Sequence, residues 1–461
     1  MSLKPKYIFY LTSAMTVSLI LSSCVPFGGS VGNSPVPVPN PTTVPTPTPT
    51  PTVTPVATGW NSITSAPSVN GRANNVGFTS DQVGNLYLSY QGSESLAIYR
   101  YMFSQPSVGW QQIASTQNMS LSSYSSSIAV SAINTLNVAY LYSPTPQPSG
   151  VIQFLAALPD KIDFANSASP IQLQSYTYTP TPPYAGVEAC PEPIQHQAKA
   201  SEATMTLDTS AKQIIAFSNE LTYVLVQQQL ESGICAAPAF RGNSRLSIFF
   251  ASEQNFYNLL SDGAASQIKL AGTPTAVGNK APFYVAYKDA VNGGGVSVQQ
   301  FVYNNTSELY DFTYVGAKGF NGSDANFISL AVDTNGTPYV AYESSNQLLA
   351  VQKYDGTNWV SVGNNNITTG ITTWVSLSMD IKTNTPYVAY QEGAYIKVKK
   401  FDGTNWVMVG GNIPNIQSNY GSYTNLIMRQ ESIDYWQPSL AFQGSLPSES
   451  NSSLSTLYYT P

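Results

Sequence analysis

Between Phe327 and Gly410 the apolar and polar positions run through the same order twice. The first pass reads FISLAVDTNGTPYVAYESSNQLLAVQKYDGTNWVSVG and the second VSLSMDIKTNTPYVAYQEGAYIKVKKFDGTNWVMVG, with Tyr342 and Tyr390 48 residues apart. In each pass, short runs rich in Val, Tyr, Leu and Ile alternate with Asn-Gly, Thr-Pro and Asp-Gly punctuation. That pattern predicts four short antiparallel strands joined by tight turns. A four-stranded unit recurring at about 40 to 50 residues predicts a β-propeller blade.

The anchor xVAY recurs, with conservative replacements, at Tyr90, Tyr140, Phe217, Tyr287, Tyr342, Tyr390 and Phe442, spaced by 50, 77, 70, 55, 48 and 52 residues. Seven anchors predict an all-β fold of seven blades, with six blades and one large insertion as the alternative. An Asp stands nine or ten residues before four of the anchors, at Asp81, Asp208, Asp333 and Asp380. It is expected to open the turn between the first two strands by accepting backbone N–H bonds. A second anchor, the aromatic of GTNW, marks the last strand at Trp359 and Trp406, with Trp110 and Phe312 as weaker equivalents. The seventh unit lacks such a strand, whereas ATGWNSI around Trp60 and Ile63 reads as the end of a blade. The N-terminal strand is therefore expected to complete the last sheet and close the ring.

Ahead of this domain, Lys4 and Lys6 precede an apolar stretch ending in LSSC, and no further charge appears before Arg72. Residues 1–23 are expected to be a secretory signal, too short for an ordinary spanning helix. Leu21-Ser22-Ser23-Cys24 resembles the lipobox of bacterial lipoproteins, which implies that Cys24 becomes the acylated, palmitate-bearing N-terminus. Val25 follows the cysteine in place of Asp, and by the sorting rule of enteric lipoproteins this implies delivery to the outer membrane if the host has two membranes. Residues 24–58, rich in Pro and Thr, cannot form a core and are expected to be a stiff tether. Residues 59–461 are ample for one propeller.

Composition narrows the chemistry. Charged residues make up 10% of the chain, the net charge is −6 and there are 30 tyrosines. A nucleic-acid partner is not expected of such a surface. The repeat is interrupted by insertions at about 141–202 and 231–245. The first, with SYTYTPTPPYAGVEACPEPIQHQ, is expected to be a loop crossing one face of the ring, and Tyr176, Tyr178 and Tyr184 in it are candidate ligand contacts. Each insertion holds one cysteine, Cys190 and Cys235. In an oxidising compartment these are expected to pair as a disulfide. The alternatives are free thiols, or a metal held with His196, which their spacing disfavours.

Catalytic chemistry finds little support. His196 is the single histidine, with no neighbouring nucleophile. Asp289, Glu343 and Glu392 each follow an anchor by one or two residues and are candidate channel-mouth acids. No cofactor or metal-ligand spacing stands out.

The full pattern, SLAxDxxGxPYVAYxD then VxKFDGxxWxxVG, resembles the blade repeat of a broad group of exported bacterial β-propeller proteins, Kelch-like or sialidase-like in shape, many of them lipoproteins. KYDGTNW at Lys353–Trp359 and KFDGTNW at Lys400–Trp406 also resemble the Asp-box of sialidases, a structural turn in that family. The sialidase site needs an arginine triad, and Arg72, Arg100, Arg241, Arg245 and Arg429 lack the matching motifs. The resemblance thus implies fold and not activity. Two function classes follow: a membrane-anchored propeller that binds a glycan or an envelope protein, and a glycan-processing enzyme. Replacing Cys24 by Ser is expected to release the protein from the membrane fraction or leave it as unprocessed precursor. Fractionation of cell envelopes checks this, and an acylated, membrane-retained Cys24→Ser protein would contradict it.

Overall fold

A computed structural model of the chain places most of the described strands in seven antiparallel sheets, each of them a blade. The described residues lie within one compact unit, Val56–Pro461. Outside them are residues 1–57, 64–73, 92–94, 117–125, 143–150, 163, 165–168, 171–174, 179–193, 209–210, 222–227, 231–232, 236–243, 252–254, 258–259, 275–280, 365–366, 416–422, 433–434 and 445–453. The expected signal segment, Cys24 and nearly all of the tether therefore lie outside the described residues.

Blade 1 consists of Asn74–Ser80, Leu86–Gln91, Leu96–Tyr101 and Gln111–Ser115. Blade 2 is built from Ser126–Val130, Leu136–Tyr142, Val151–Ala157 and Ser169–Pro170, and blade 3 from Ile194–Leu207, Gln213–Leu221, Arg245–Phe250 and Asn255–Tyr257. Ala265–Gly272, Phe283–Asp289, Gly295–Asn304 and Leu309–Tyr314 make blade 4. The two sequence repeats are blade 5 (Asn326–Val332, Pro338–Glu343, Leu349–Tyr354, Trp359–Ser361) and blade 6 (Thr372–Asp380, Thr385–Glu392, Tyr395–Phe401, Trp406–Met408). Blade 7 takes Asn425–Ser432, Tyr435–Gln443 and Leu454–Thr460, and its fourth strand is Gly59–Ser62, paired antiparallel with Trp60 opposite Tyr459. All seven anchors fall in second strands. The first strands touch their counterparts in the neighbouring blades in an unbroken cycle, so they form the inner wall of a ring.

Packing follows the same count. Seven clusters of buried apolar residues are found among the described residues, one for each junction between neighbouring blades. Tyr140, Phe217, Tyr287, Tyr390 and Phe442 are among the largest fully buried side chains, which is why the sequence repeats them. The turn aspartates do what their positions predict. Asp81 accepts from the amides of Val83 and Asn85, Asp333 from Asn335 and Thr337, Asp380 from Lys382 and Thr383, and Asp208 from Lys212.

The GTNW tryptophans hold blades 5 and 6 to the blades before them, whereas the weaker equivalent Trp110 makes no such bond among the described residues. Trp359 Nε1 donates to the Val315 carbonyl of blade 4 at 2.7 Å, and Trp406 Nε1 to Val362 of blade 5 at 2.7 Å. Trp60 Nε1 donates to Val409 of blade 6 at 2.8 Å, so the closing strand enters the same series. Each acceptor is followed by a glycine at positive φ, Gly316 at 72°, Gly363 at 71° and Gly410 at 70°. A Cβ on Gly410 would lie 2.8 Å from the Trp60 ring, which accounts for the Val-Gly that ends each repeat.

The insertions differ from expectation. The segment expected to cross one face as a loop supplies the fourth strand of blade 2 and, at Ser175–Tyr178, a further strand paired with the start of Ile194–Leu207. That first strand is 14 residues long, and the polar alternation of AKASEATMTL lets it pair with the second strand over most of its length. His196 therefore lies in a strand, opposite Tyr176, and not in a Pro-rich loop. The second insertion folds back as a two-stranded ribbon, Gln228–Leu230 with Gly233–Cys235. Cys190 lies outside the described residues, and so does the expected disulfide.

Replacing Trp60 by Ala is expected to lower the unfolding free energy by about 3 kcal/mol, the low end for a large aromatic truncation. Trp60→Phe, which keeps an aromatic ring but loses the hydrogen bond and part of the indole's contact area, should cost less, about 1 to 2 kcal/mol. Urea denaturation compares both with Trp359→Ala, and a Trp60→Ala midpoint equal to that of the unaltered protein would contradict closure through this strand.

Candidate functional site at the channel mouth

An inner strand presents one edge that no neighbouring sheet pairs with, and its amides need other partners. Polar side chains supply them around the whole ring. Asn75 of blade 1 donates to the Ser126 carbonyl of blade 2, and Ser127 Oγ of blade 2 accepts from the Met205 amide of blade 3. Glu202 of blade 3 accepts from the amides of Gln267 and Ile268 in blade 4. Gln267 Oε1 then accepts from Ile328 of blade 5 at 3.2 Å, Ser329 Oγ from Leu377 of blade 6 at 2.9 Å, and Ser376 Oγ from Leu426 of blade 7 at 2.9 Å. Asn425 Nδ2 closes the belt by donating to the Val76 carbonyl of blade 1.

Beside this belt the inner strands bulge. Register shifts occur at Asn74/Gly77, Ala200/Glu202, Ser266/Lys269, Asn326/Ser329 and Thr373/Ser376. Asn75, Gln267, Phe327 and Trp374 sit in four of these bulges with φ of 49°, 52°, 52° and 54°, and Tyr423 just before the blade 7 strand has φ of 24°. Left-handed backbone is tolerable for Asn but strained for Phe, Trp and Tyr, at about 1 to 3 kcal/mol each. A bulge re-aims the side chain of its extra residue. Phe327 and Trp374, re-aimed in this way, and Tyr423 just ahead of its strand form one arc of three aromatic rings from consecutive blades at the start of the inner strands. Trp374 lies 4.9 Å from Phe327 and 4.5 Å from Tyr423, centroid to centroid. All three remain half-exposed.

Next to Phe327 is a polar cluster. Lys288 Nζ donates to Asn326 Oδ1 at 2.9 Å and pairs with Asp324 at 2.8 Å, and Gln267 Nε2 reaches the same Asn326 oxygen. Glu343 stands opposite Asn326 in the sheet and is buried. Burial pushes its carboxyl above the usual carboxylate value, the negative charge of Asp324 adds to this, and the Asn326 hydrogen bond and Lys288 oppose it. Burial likewise raises the Glu202 carboxyl, against Lys269 and the two amides it binds.

The three acids singled out from the sequence end the second strands of blades 4, 5 and 6, on the same rim, but one strand outward from the channel wall. Asp289 is fully buried and accepts from the Val291 amide, Asn292 Nδ2 and Ser297 Oγ, tying down the turn that follows it. Burial works to raise Glu392, but its ion pair with Lys397 and the amides of Gly370 and Thr369 outweigh that and leave it below its usual value. Glu392 thereby orders the connection leading into Trp374.

Both insertions emerge at this rim. Ile194–Gln197, which carries the pairing with Ser175–Tyr178, is the leading end of the blade 3 inner strand, and the ribbon follows the rim end of its second strand. Tyr176 and Tyr178 are placed there by their backbone, and Tyr184 lies outside the described residues. Among the described residues no group of three or more His, Cys, Asp or Glu could hold a metal ion. The sequence reading missed Asn75, Gln267, Phe327, Trp374 and Tyr423. Their signal is positional: each lies two residues before the residue that resumes inner-strand pairing, as in FIS and WVS.

No protein-family model matches this sequence, and no curated protein matches it. Solved structures align with it at low identity. A Penicillium chrysogenum alpha-L-arabinanase bound to arabinobiose aligns over 88% of this chain and 98% of its own, with 12% identity and a TM-score of 0.42. A Trypanosoma rangeli sialidase bound to the inhibitor DANA aligns over 84% of this chain, with 8% identity and a TM-score of 0.38, and this chain spans 58% of the sialidase. A mutant of the Aleuria aurantia lectin in complex with Fucalpha1-6GlcNAc aligns over 72% of this chain and 93% of its own, with 13% identity and a TM-score of 0.38. At such identities and TM-scores these alignments carry no conclusion about this chain.

A carboxyl whose pKa rises on folding opposes the fold once ionised. The penalty is absent below the unfolded Glu value, grows as pH rises through it, and is complete above the folded value. Glu343→Gln is therefore expected to raise the thermal midpoint at pH 7, with the gain shrinking toward pH 4. Thermal scans across that range check this, and a lower midpoint for Glu343→Gln at pH 7 would contradict it.

Proposed function

We propose that this protein is a membrane-anchored binding propeller that holds a glycan against the Phe327–Trp374–Tyr423 arc. The observation that carries the reading is that arc, with three bulky side chains kept in left-handed backbone at one end of the channel. Strain of this kind persists where the surrounding structure over-determines it, and it concentrates at ligand clamps. A sugar ring offers a C–H face that stacks on aromatic rings and hydroxyls that both donate and accept. The arc supplies the first contact, and Gln267, Lys288, Asp324 and Asn326 supply donors and acceptors for the second. Tyr176 and Tyr178 lie in a strand at the same rim. Lipidation at Cys24 and the tether would present it from the bacterial envelope, at the outer membrane in a host with two membranes. An envelope protein could occupy the same face.

The second reading, a glycan-active enzyme, is favoured by Glu343. A buried carboxyl with a raised pKa beside a sugar platform has the attributes of a general acid. Asp289 and Glu392 offer less, since both are engaged in holding turns.

Trp374→Ala is expected to weaken binding at least tenfold, about 1.4 kcal/mol, in line with loss of one aromatic platform. A printed array of envelope glycans followed by calorimetric titration of the best-bound oligosaccharide checks this. Unchanged affinity in Trp374→Ala would contradict the site, and hydrolysis of that oligosaccharide abolished by Glu343→Gln would establish the enzyme reading instead.

A further inference from the structure

The two KxDGTNW turns, at Lys353–Trp359 and Lys400–Trp406, each overhang a cleft on the side of the ring away from the mouth. The first cleft, about 640 Å³, lies between blades 4 and 5 and is lined by Tyr284, Gln300, Pro338, Lys353, Tyr354 and Asp355. The second, about 650 Å³, lies between blades 5 and 6 and is lined by Tyr339, Lys353, Pro386, Lys400, Phe401 and Asp402. Repeat equivalence matches these linings position by position: a tyrosine opens the second strand, Gln300 or Lys353 stands opposite it, and a Thr-Pro turn and the Lys-aromatic-Asp triplet follow. Both volumes fall in the range of small-ligand sites, about 300 to 1,000 Å³.

The architecture of the turn does not require this lining. The turn is built by Asp355 and Asp402, whose Oδ1 atoms accept from Thr357 and Asn358 and from Thr404 and Asn405, and by the tryptophan bonds to the preceding blade. Those amides hold both carboxyls below their usual values, so both are charged. Lys353 is half-buried and borders both clefts, and its ammonium has no hydrogen bond or ion pair among the described residues. In the first cleft the tyrosine hydroxyl is engaged, Gln300 Nε2 donating to it and Tyr284 Oη donating to the Gly336 carbonyl. In the second, no hydrogen bond to the Tyr339 hydroxyl is found among the described residues. Each turn thus adds one positive and one negative charge beside an aromatic ring. That balance disfavours a phosphate or a free amine and suits a neutral polyhydroxyl ligand, whose hydroxyls donate to Asp and accept from Lys.

We infer that these two clefts are a repeated pair of neutral-saccharide sites, separate in residues and location from the channel mouth. The test uses saturation-transfer NMR on the purified protein carrying Trp374→Ala, with the methyl glycosides of glucose, galactose, mannose and N-acetylglucosamine as probes. At least one glycoside should still receive transfer, and adding Lys353→Ala, which alters both clefts, should reduce it severalfold. Lys400→Ala, an exposed position bordering only the second cleft, should give a partial loss, and thermal midpoints identify any variant that fails to fold. Absence of transfer to all four glycosides in the Trp374→Ala protein would overturn the inference. So would transfer that neither lysine substitution changes. The mouth site is judged separately, by whether Trp374→Ala itself lowers binding.

Discussion

Every sheet in this ring has two edges, and neither can extend a hydrogen-bonded ladder into its neighbour. An unpaired strand edge is a liability, so the structure depends on what it places there. At the inner edge, side-chain bonds from blade to blade make a closed belt, with a link at each of the seven junctions. At the outer edge, the indole N–H groups of Trp359, Trp406 and Trp60 reach back to the carbonyls of Val315, Val362 and Val409 in the preceding blades. The apolar clusters between sheets supply area, but they are non-directional. The belt and the indole bonds are directional, and they fix how each sheet is seated against the next.

The candidate site follows from the same arrangement. Where the inner strand bulges beside the belt, a blade gains one residue near the channel mouth that is outside the buried register. Blades 1 and 4 fill it with an amide and blades 5 and 6 with an aromatic, and in blade 7 Tyr423 stands just ahead of the strand. Packing positions repeat because the core requires it, whereas this position carries Asn, Gln, Phe or Trp. In blades 1 and 4 the amide is itself a link of the belt, while in blades 5 and 6 Ser329 and Ser376 make the link and leave the aromatic outside it. Glu392 contributes indirectly, since its bonds to Thr369 and Gly370 order the approach to Trp374.

Much of the architecture could be read from the chain because it rests on buried, repeated residues. Tyr342 and Tyr390 mark second strands, Asp333 and Asp380 cap turns, and Trp60 betrays the closing strand. The site was harder to see. Phe327, Trp374 and Gln267 differ chemically and lie in a bulge, where strand alternation breaks down. Nor does composition reveal that Asp289 is consumed in a turn while Glu343 is buried beside the arc; that distinction depends on which loop folds over each carboxyl. The insertion around Tyr176 misled for a related reason. Its proline content read as loop, yet backbone pairing with Ile194–Gln197 makes part of it a strand.

The proposed role of the strained aromatic arc, as a platform for a sugar ring, can be observed directly. The most direct measurement is a crystal structure of the protein soaked with the oligosaccharide it binds best. The account predicts a pyranose or furanose ring stacked on Trp374, with its hydroxyls reaching toward Asn326 and Gln267. A sugar bound elsewhere, with the three rings of the arc uncontacted, would contradict it.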